Sequence, residues 1–335
     1  MTRQLHFVID QLPADESIQL TGTVIGNEDA TASSGSPTGF AWQNTRGESA
    51  ILSLDGKPAL EYMYAALDES SPQAKEETYK VFHHLYDPHG TRRVTKGSGG
   101  KYTHHRGLFY GFNRITYGDG KQVDTWHCKG DAHLSHAAFI NSEAGIVLGR
   151  HQVTVDWHGI DKEVFAREQR EMTVYNLPGG RLVEFASQLK GVITPVVLDG
   201  DPQHAGFQFR ADNEVAAQTA GQTYYLRPDG RGSLGQTRNW PQVESHVNLP
   251  WNAMSFVLGD QRYTAVYLDH PDNPKPARHS ERDYGRFGSY FEYRLTDDRP
   301  LALNYRVWLQ QGELTGEQAE ALSRAFVEPP EVVVR

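Results

Sequence analysis

The stretch Leu301-Ala302-Leu303-Asn304-Tyr305-Arg306-Val307-Trp308-Leu309-Gln310 decides the fold class. Leu301, Leu303, Tyr305, Val307 and Leu309 fall on one side of an extended chain, and Asn304, Arg306, Trp308 and Gln310 on the other. Successive side chains of a strand point to opposite sides of its sheet, so this period of two marks a half-buried strand. Val153, Val155 and Trp157 alternate in the same way with Gln152, Thr154 and Asp156. Phe291, Tyr293 and Leu295 alternate with Tyr290, Glu292 and Arg294.

Turn signals separate these runs: Pro178-Gly179-Gly180, Asp199-Gly200-Asp201-Pro202, Pro228-Asp229-Gly230, and Asp297-Asp298 ahead of Pro300. Gly118-Asp119-Gly120 reads as the loop of a hairpin joining residues 107–117 to 121–129. The pattern predicts an all-β chain with a dozen or more antiparallel strands, a large β-sandwich of supersandwich or jelly-roll type. One helix is expected near the end. Thr315 and Gln318 fit a capping box, Ala319, Leu322 and Phe326 form an apolar stripe, and Pro329-Pro330 ends it. Residues 68–103 and 227–252 read as long loops. No repeat or linker divides the 335 residues, so residues 1–335 are expected to form a single β-sandwich domain.

Composition narrows the function. A net charge of -9 argues against a general nucleic-acid binder, which needs a basic face. A single cysteine, Cys128, permits no internal disulfide and reads as a buried small hydrophobe. The opening residues lack an apolar core of leader length, and apolar runs such as 192–198 are too short to span a bilayer. A cytoplasmic location is the expectation, with no membrane partner and with a homo-oligomer left open.

The chemistry concentrates in histidines. Of the 15, six lie between residues 83 and 127: His83, His84, His89, His104, His105 and His127. His104-His105-Arg106-Gly107 is the densest piece, and Trp126-His127-Cys128-Lys129 closes the next predicted strand. The hairpin would make His105 and His127 neighbours and return Arg106 and Lys129 to the same end. Such a cluster suits acid–base work, a polar sugar or anion, or a metal. No cofactor is specified by the residues. A divalent zinc or manganese ion would draw on His104, His105, His127 and Glu168, although no spacing here is diagnostic. Glu168 and Arg170 share a face of a charged run that is as readily a solvated sheet surface. His204 and Arg210 flank Gly206-Phe207-Gln208-Phe209. His270 and Asn273 sit on a proline-fixed loop, and Arg282 and Tyr284 follow it. A surface turn capping its own backbone is the competing reading of that loop.

In this order, His104-His105-Arg106-Gly107, Trp126-His127-Cys128-Lys129, Asp269-His270-Pro271-Asp272-Asn273-Pro274, Arg282-Asp283-Tyr284-Gly285 and the closing Tyr305-Arg306-Val307-Trp308 resemble the bacterial PmoA-like family of unknown function. Its members carry the label "methane oxygenase PmoA". Particulate methane oxygenase is a membrane enzyme, and a chain without a spanning segment does not fit that label. The resemblance covers residues 50 to 330 and implies a β-sandwich, with a galactose-mutarotase-like arrangement as one form. It also implies carbohydrate work, because genes for sugar oxidoreductases and isomerases often neighbour those of the family. The expected activity is a carbohydrate lyase or hydrolase acting on a glycoside or oxidised sugar. His104, His105, His127 and Glu168 would be catalytic. Arg106, Lys129, His204, Arg210, His270, Asn273, Arg282 and Tyr284 would bind substrate. The alternatives are a non-catalytic carbohydrate-binding protein and a metal-dependent sugar isomerase or epimerase.

Overall fold

The computed structural model describes Gln19 and residues 39–329; the opening residues that bear on a leader and Pro330 lie outside them. The described residues contain 21 strands, every strand pair antiparallel. In chain order the first are β1 (Phe40–Thr45), β2 (Ser49–Leu54), β3 (Lys57–Met63), β4 (Phe82–Leu85), β5 (Leu108–Phe112), β6 (Arg114–Tyr117) and β7 (Lys121–Val123). Next come β8 (His133–Ala144), β9 (Leu148–His158), β10 (Val164–Tyr175), β11 (Arg181–Gly191), β12 (Val196–Asp199), β13 (Ala205–Arg210) and β14 (Tyr224–Arg227). The last are β15 (Gly230–Arg231), β16 (Trp251–Leu258), β17 (Gln261–Asp269), β18 (Arg278–Arg282), β19 (Arg286–Tyr290), β20 (Tyr293–Leu295) and β21 (Leu301–Gln311).

They build an eight-stranded sheet, β1-β2-β3-β4-β5-β13-β19-β18, a nine-stranded sheet, β15-β14-β16-β17-β21-β11-β10-β9-β8, and a four-stranded sheet, β20-β12-β6-β7. The two large sheets close a β-sandwich over one core. Leu52, Tyr110, Phe207 and Phe287 from the eight-stranded sheet meet Val155, Phe185, Tyr267 and Tyr305 from the nine-stranded one. Period two then sorts the side chains. On β17, Tyr263, Ala265 and Tyr267 enter this core, whereas Val266 and Leu268 face a second cluster beneath the C-terminal helix. On β21 the five alternating apolar residues face the core, and Trp308 belongs to the second cluster.

That helix, α2 (Gly316–Val327), starts with the expected capping box: Gln318 N donates to Thr315 Oγ1 and Thr315 N donates to Gln318 Oε1. Ala319 and Phe326 are buried against the sheet, and burial of a phenylalanine contributes about 1.5–3 kcal/mol. No helix among the described residues is long and apolar enough to cross a membrane.

Three expectations are corrected. Residues 68–103 hold a helix, α1 (Pro72–Thr78), and β4 in place of an unbroken loop. The helix buries no residue and so has no apolar stripe to read, and β4 is buried on both faces and so does not alternate. The hairpin is shorter than predicted: β6 and β7 pair around Gly118–Gly120, while β5 leaves for the eight-stranded sheet. The alternation through 290–295 spans a bend, with β19 in the eight-stranded sheet and β20 in the four-stranded one.

Candidate active site

The site lies on the outer face of the eight-stranded sheet. Along β5, Leu108, Tyr110 and Phe112 alternate with Phe109 and Gly111, so these two share the opposite side, where Phe109 packs on Trp126. On β13 the core takes Phe207 and Phe209, leaving Gln208 and Arg210 outside, and on β19 Arg286 lies beside them. Loops cover this polar patch, so Gln208, Arg210 and Arg286 are each only 1% exposed.

One covering loop is the turn 124–128. Thr125 N and Trp126 N both donate to Phe112 O, and Trp126 packs on Phe109 at 5.3 Å. Gly111 makes room for it: a Cβ there would lie 2.8 Å from the Phe109 ring and 3.2 Å from Thr125 O. A second is the turn before β5, closed by His105 N donating to Tyr102 O. His104 and His105 belong to this turn and not to a regular strand, so both can face one site. Lys80 ties the two turns together by donating to His104 O and Trp126 O.

Four imidazoles meet here. His104 lies 4.4 Å from His105 and 4.4 Å from His127 between ring centroids, and His204 lies 4.9 Å from His127 and 5.8 Å from His104. One ring nitrogen from each of His104, His127 and His204 falls within 4.8 Å of the others. Tyr284 lies tilted against Tyr102 at 4.8 Å and near-parallel to His105 at 6.2 Å, and the Arg210 guanidinium sits 5.0 Å from the Tyr284 ring.

Two aspartates orient the outer pair. His127 Nδ1 is 2.8 Å from Asp124 Oδ2, and His204 Nδ1 is 2.9 Å from Asp201 Oδ1. Each carboxylate is otherwise fully engaged. Asp124 accepts the backbone N–H groups of Trp126 and His127 and pairs with Lys129 at 3.4 Å. Asp201 accepts Gln203 N and Asn113 Nδ2. Burial opposes both charges, but the imidazole and amide hydrogen bonds outweigh it and hold both carboxyls below their usual range.

The inner groups lack such support. His104 Nε2, both ring nitrogens of His105, Trp126 Nε1, Arg210 Nε and Nη2, and Arg286 Nε are buried with no hydrogen-bond partner in the protein. Burial, then His127 and Lys80, push His104 down to about 3. Burial, then Arg286, push His105 far below the ordinary imidazole range. The outer rings remain reachable, with 22% of the His127 side chain and 29% of that of His204 exposed. A cavity of about 590 Å³ borders Asp124; Asn113, Arg114, Gln122 and Lys129 are also among its walls, and no ring of the cluster is.

Other expected residues lie elsewhere or face away. Glu168 is in the core on β10, accepting Arg170 Nε and Nη2, Trp157 Nε1 and Ser187 Oγ. Its alternation with Arg170 was legible, but the face is buried and not solvated. Arg106 turns back to donate to Thr103 O, His105 O and Glu76 O. His270 packs on Phe326 of α2 at 5.0 Å, and buried Asn273 is satisfied by Asp269 and the backbone of Asn304. Arg282 donates to Asn239 and Glu281 O. His83 pairs with His151 at 3.0 Å, and His84 lies 3.2 Å from Thr95 Oγ1. Cys128 is buried with its thiol raised to about 11 by desolvation, which suits packing over nucleophilic attack. His105 neighbours His104 and not His127, because β5 does not pair with 121–129. Asp124, Trp126, Asp201 and Tyr102 were missed. The repeated Asp-x-x-His spacing of 124–127 and 201–204 was the available signal for the aspartates.

The model of a family of unknown function, DUF6807, matches residues 49–324. No curated protein matches the chain. Among solved structures, the chain is similar to the GH36 alpha-galactosidase AgaA from Geobacillus stearothermophilus, with 9% identity, a TM-score of 0.38, and coverage of 84% of this chain and 41% of that one. It is also similar to the galactosidase domain of the alpha-galactosidase-sucrose kinase AgaSK, with 11% identity, a TM-score of 0.42, and 84% and 43% covered. The alpha-galactosidase from Lactobacillus brevis gives 8% identity, a TM-score of 0.42, and 86% and 40% covered. The chain spans less than half the length of each of these solved chains.

Proposed function

The chain belongs to DUF6807, a family of unknown function, and from that premise we propose, on the site alone, that it is a carbohydrate-active enzyme of the lyase class working at the His104–His105–His127–His204 cluster. The carrying observation is the gathering of unpartnered buried polar atoms from His104, His105, Trp126, Arg210 and Arg286. Buried polar groups normally find partners, and a set left without them around one spot fits a polar ligand. The rings of Trp126, Tyr102 and Tyr284 beside them suit the faces of a sugar. The PmoA-like resemblance points to the same substrate class.

The carboxylates favour the lyase over the hydrolase. A two-carboxylate glycosidase needs one free acid and one free base or nucleophile. Asp124 and Asp201 are both committed to imidazole and amide donors, and Glu168 is in the core. Elimination needs a base and a cation for the developing oxyanion. An imidazole, His105 in this reading, takes the proton from the carbon next to a carbonyl or carboxylate. The C–H electron pair forms an enolate held by Arg210 and Arg286. That pair then closes a C=C bond as the β C–O bond breaks, and the proton on His105 passes to the departing oxygen, which leaves as an alcohol. A metal-dependent isomerase or epimerase shares the first proton removal, and the three adjacent imidazoles favour it as the second reading.

The test is a panel of 3-keto and uronic glycosides, followed by the ultraviolet absorbance of the conjugated product. Turnover that falls in His104→Ala and His105→Ala proteins is expected. Unchanged turnover in both would remove the acid–base role.

A further inference from the structure

The three-imidazole face has a property that acid–base catalysis does not require. His127 and His204 come from different loops, yet each engages a carboxylate three residues earlier through Nδ1. That leaves Nε2 as the outward atom of each ring. A ring held through Nδ1 by a carboxylate is the arrangement that orients a metal-ligating histidine and raises its basicity. The third ring, His104, contributes a buried Nε2 that nothing in the protein engages. Its backbone is fixed independently by Lys80.

We propose that His104, His127 and His204 form a site for one divalent transition ion of the zinc class, oriented by Asp124 and Asp201, with a position left open for a substrate oxygen. The donor set selects the metal. Three imidazoles with no free carboxylate and no thiolate suit zinc, cobalt or nickel better than magnesium or calcium, which require oxygen ligands. Three protein ligands with an open position characterise catalytic rather than structural zinc. In a tetrahedral site the nitrogens stand about 3.4 Å apart, so the present 4.8 Å envelope needs only small side-chain rotations. The half-buried carboxylates of Asp124 and Asp201 supply two negative charges against the dication. His105, one residue from His104, lies outside the ligand set and keeps both ring nitrogens for substrate. The proposal rests on the lyase reading only in giving the open position to a sugar oxygen.

The full chain, stripped with a chelator, is titrated with Co²⁺ and followed by visible absorption, with Zn²⁺ as competitor. One equivalent should bind and be displaced by Zn²⁺. His104→Ala, His127→Ala and His204→Ala should each abolish the signal, His105→Ala should leave it intact, and Asp201→Asn should weaken binding by about 10–100-fold. Proton NMR of the wild-type Co²⁺ protein keeps the question answerable should a variant misfold. Two shifted, exchangeable imidazole N–H resonances, from His127 and His204, are expected. Absence of stoichiometric binding, or binding indifferent to the three substitutions, overturns the site. Full glycoside turnover by the stripped protein overturns it too, while leaving the lyase reading standing. Stoichiometric metal with no turnover of any glycoside upholds the site and removes the lyase reading.

Discussion

Asp124 Oδ2 receives His127 Nδ1 at 2.8 Å across a turn of three residues, and the same carboxylate caps the backbone N–H groups of Trp126 and His127. One side chain therefore shapes the turn and aims the ring. Asp124→Asn keeps an acceptor for the turn but presents an amide N–H₂ or a neutral oxygen to the imidazole. Turnover should fall by about 10–100-fold while the thermal melt changes little. A steady-state assay paired with circular dichroism measures both.

Glu168 separates structure from catalysis. Its carboxylate and the Arg170 guanidinium are bonded through both oxygens, with side chains 0% and 1% exposed. Glu168→Ala strands the arginine in the core, and removing one partner of a buried pair costs about 3–5 kcal/mol. Urea denaturation should show that loss. A catalytic acid would instead lose rate and leave the denaturation midpoint in place.

A second buried pair makes stability depend on acid. Burial opposes the Glu281 charge, but hydrogen bonding and the nearby charges of His246 and Arg227 outweigh it and hold the carboxyl down to about 2. A pKa lower in the folded chain than its ordinary 4.5 means that ionised Glu281 stabilises the fold above that value. The contribution is lost as pH falls from about 4.5 toward 2. Melting temperatures should drop through that window. In Glu281→Gln the drop attributable to this group should vanish, with a lower melting temperature at neutral pH.

Gly206 follows His204 by two residues and holds φ at +80°, and a Cβ there would lie 2.0 Å from Ser289 O. β13 and β19 approach too closely at this point for any side chain. Gly206→Ala should cost about 1–3 kcal/mol and displace the start of β13, lowering turnover as well. Chemical denaturation beside the assay measures the two effects.

The sandwich was legible because half-buried strands alternate. Leu301 to Leu309 enter the core as read, and Thr315 caps α2 as read. β4 and α1 were not legible, since a strand buried on both faces and a helix buried on none lack a period. The site was legible in its residue types. His104, His105, His127, His204, Arg210 and Tyr284 do gather, but which histidine neighbours which depended on β5 leaving the hairpin, a choice of sheet that local sequence does not encode. The burial of Glu168 was hidden for a related reason. Alternation tells which residues share a face, and only the packing of the second sheet tells whether that face meets water.

The central claim is that the outer face of the eight-stranded sheet holds a sugar at the imidazole cluster. A crystal structure of the His105→Ala protein with a 3-keto glycoside tests it most directly. The account predicts the sugar ring against Trp126 and Tyr284, with an oxygen facing His104, His127 and His204 and the carbonyl toward Arg210 and Arg286. A glycoside bound at any other place on the molecule, with these side chains untouched, would contradict it.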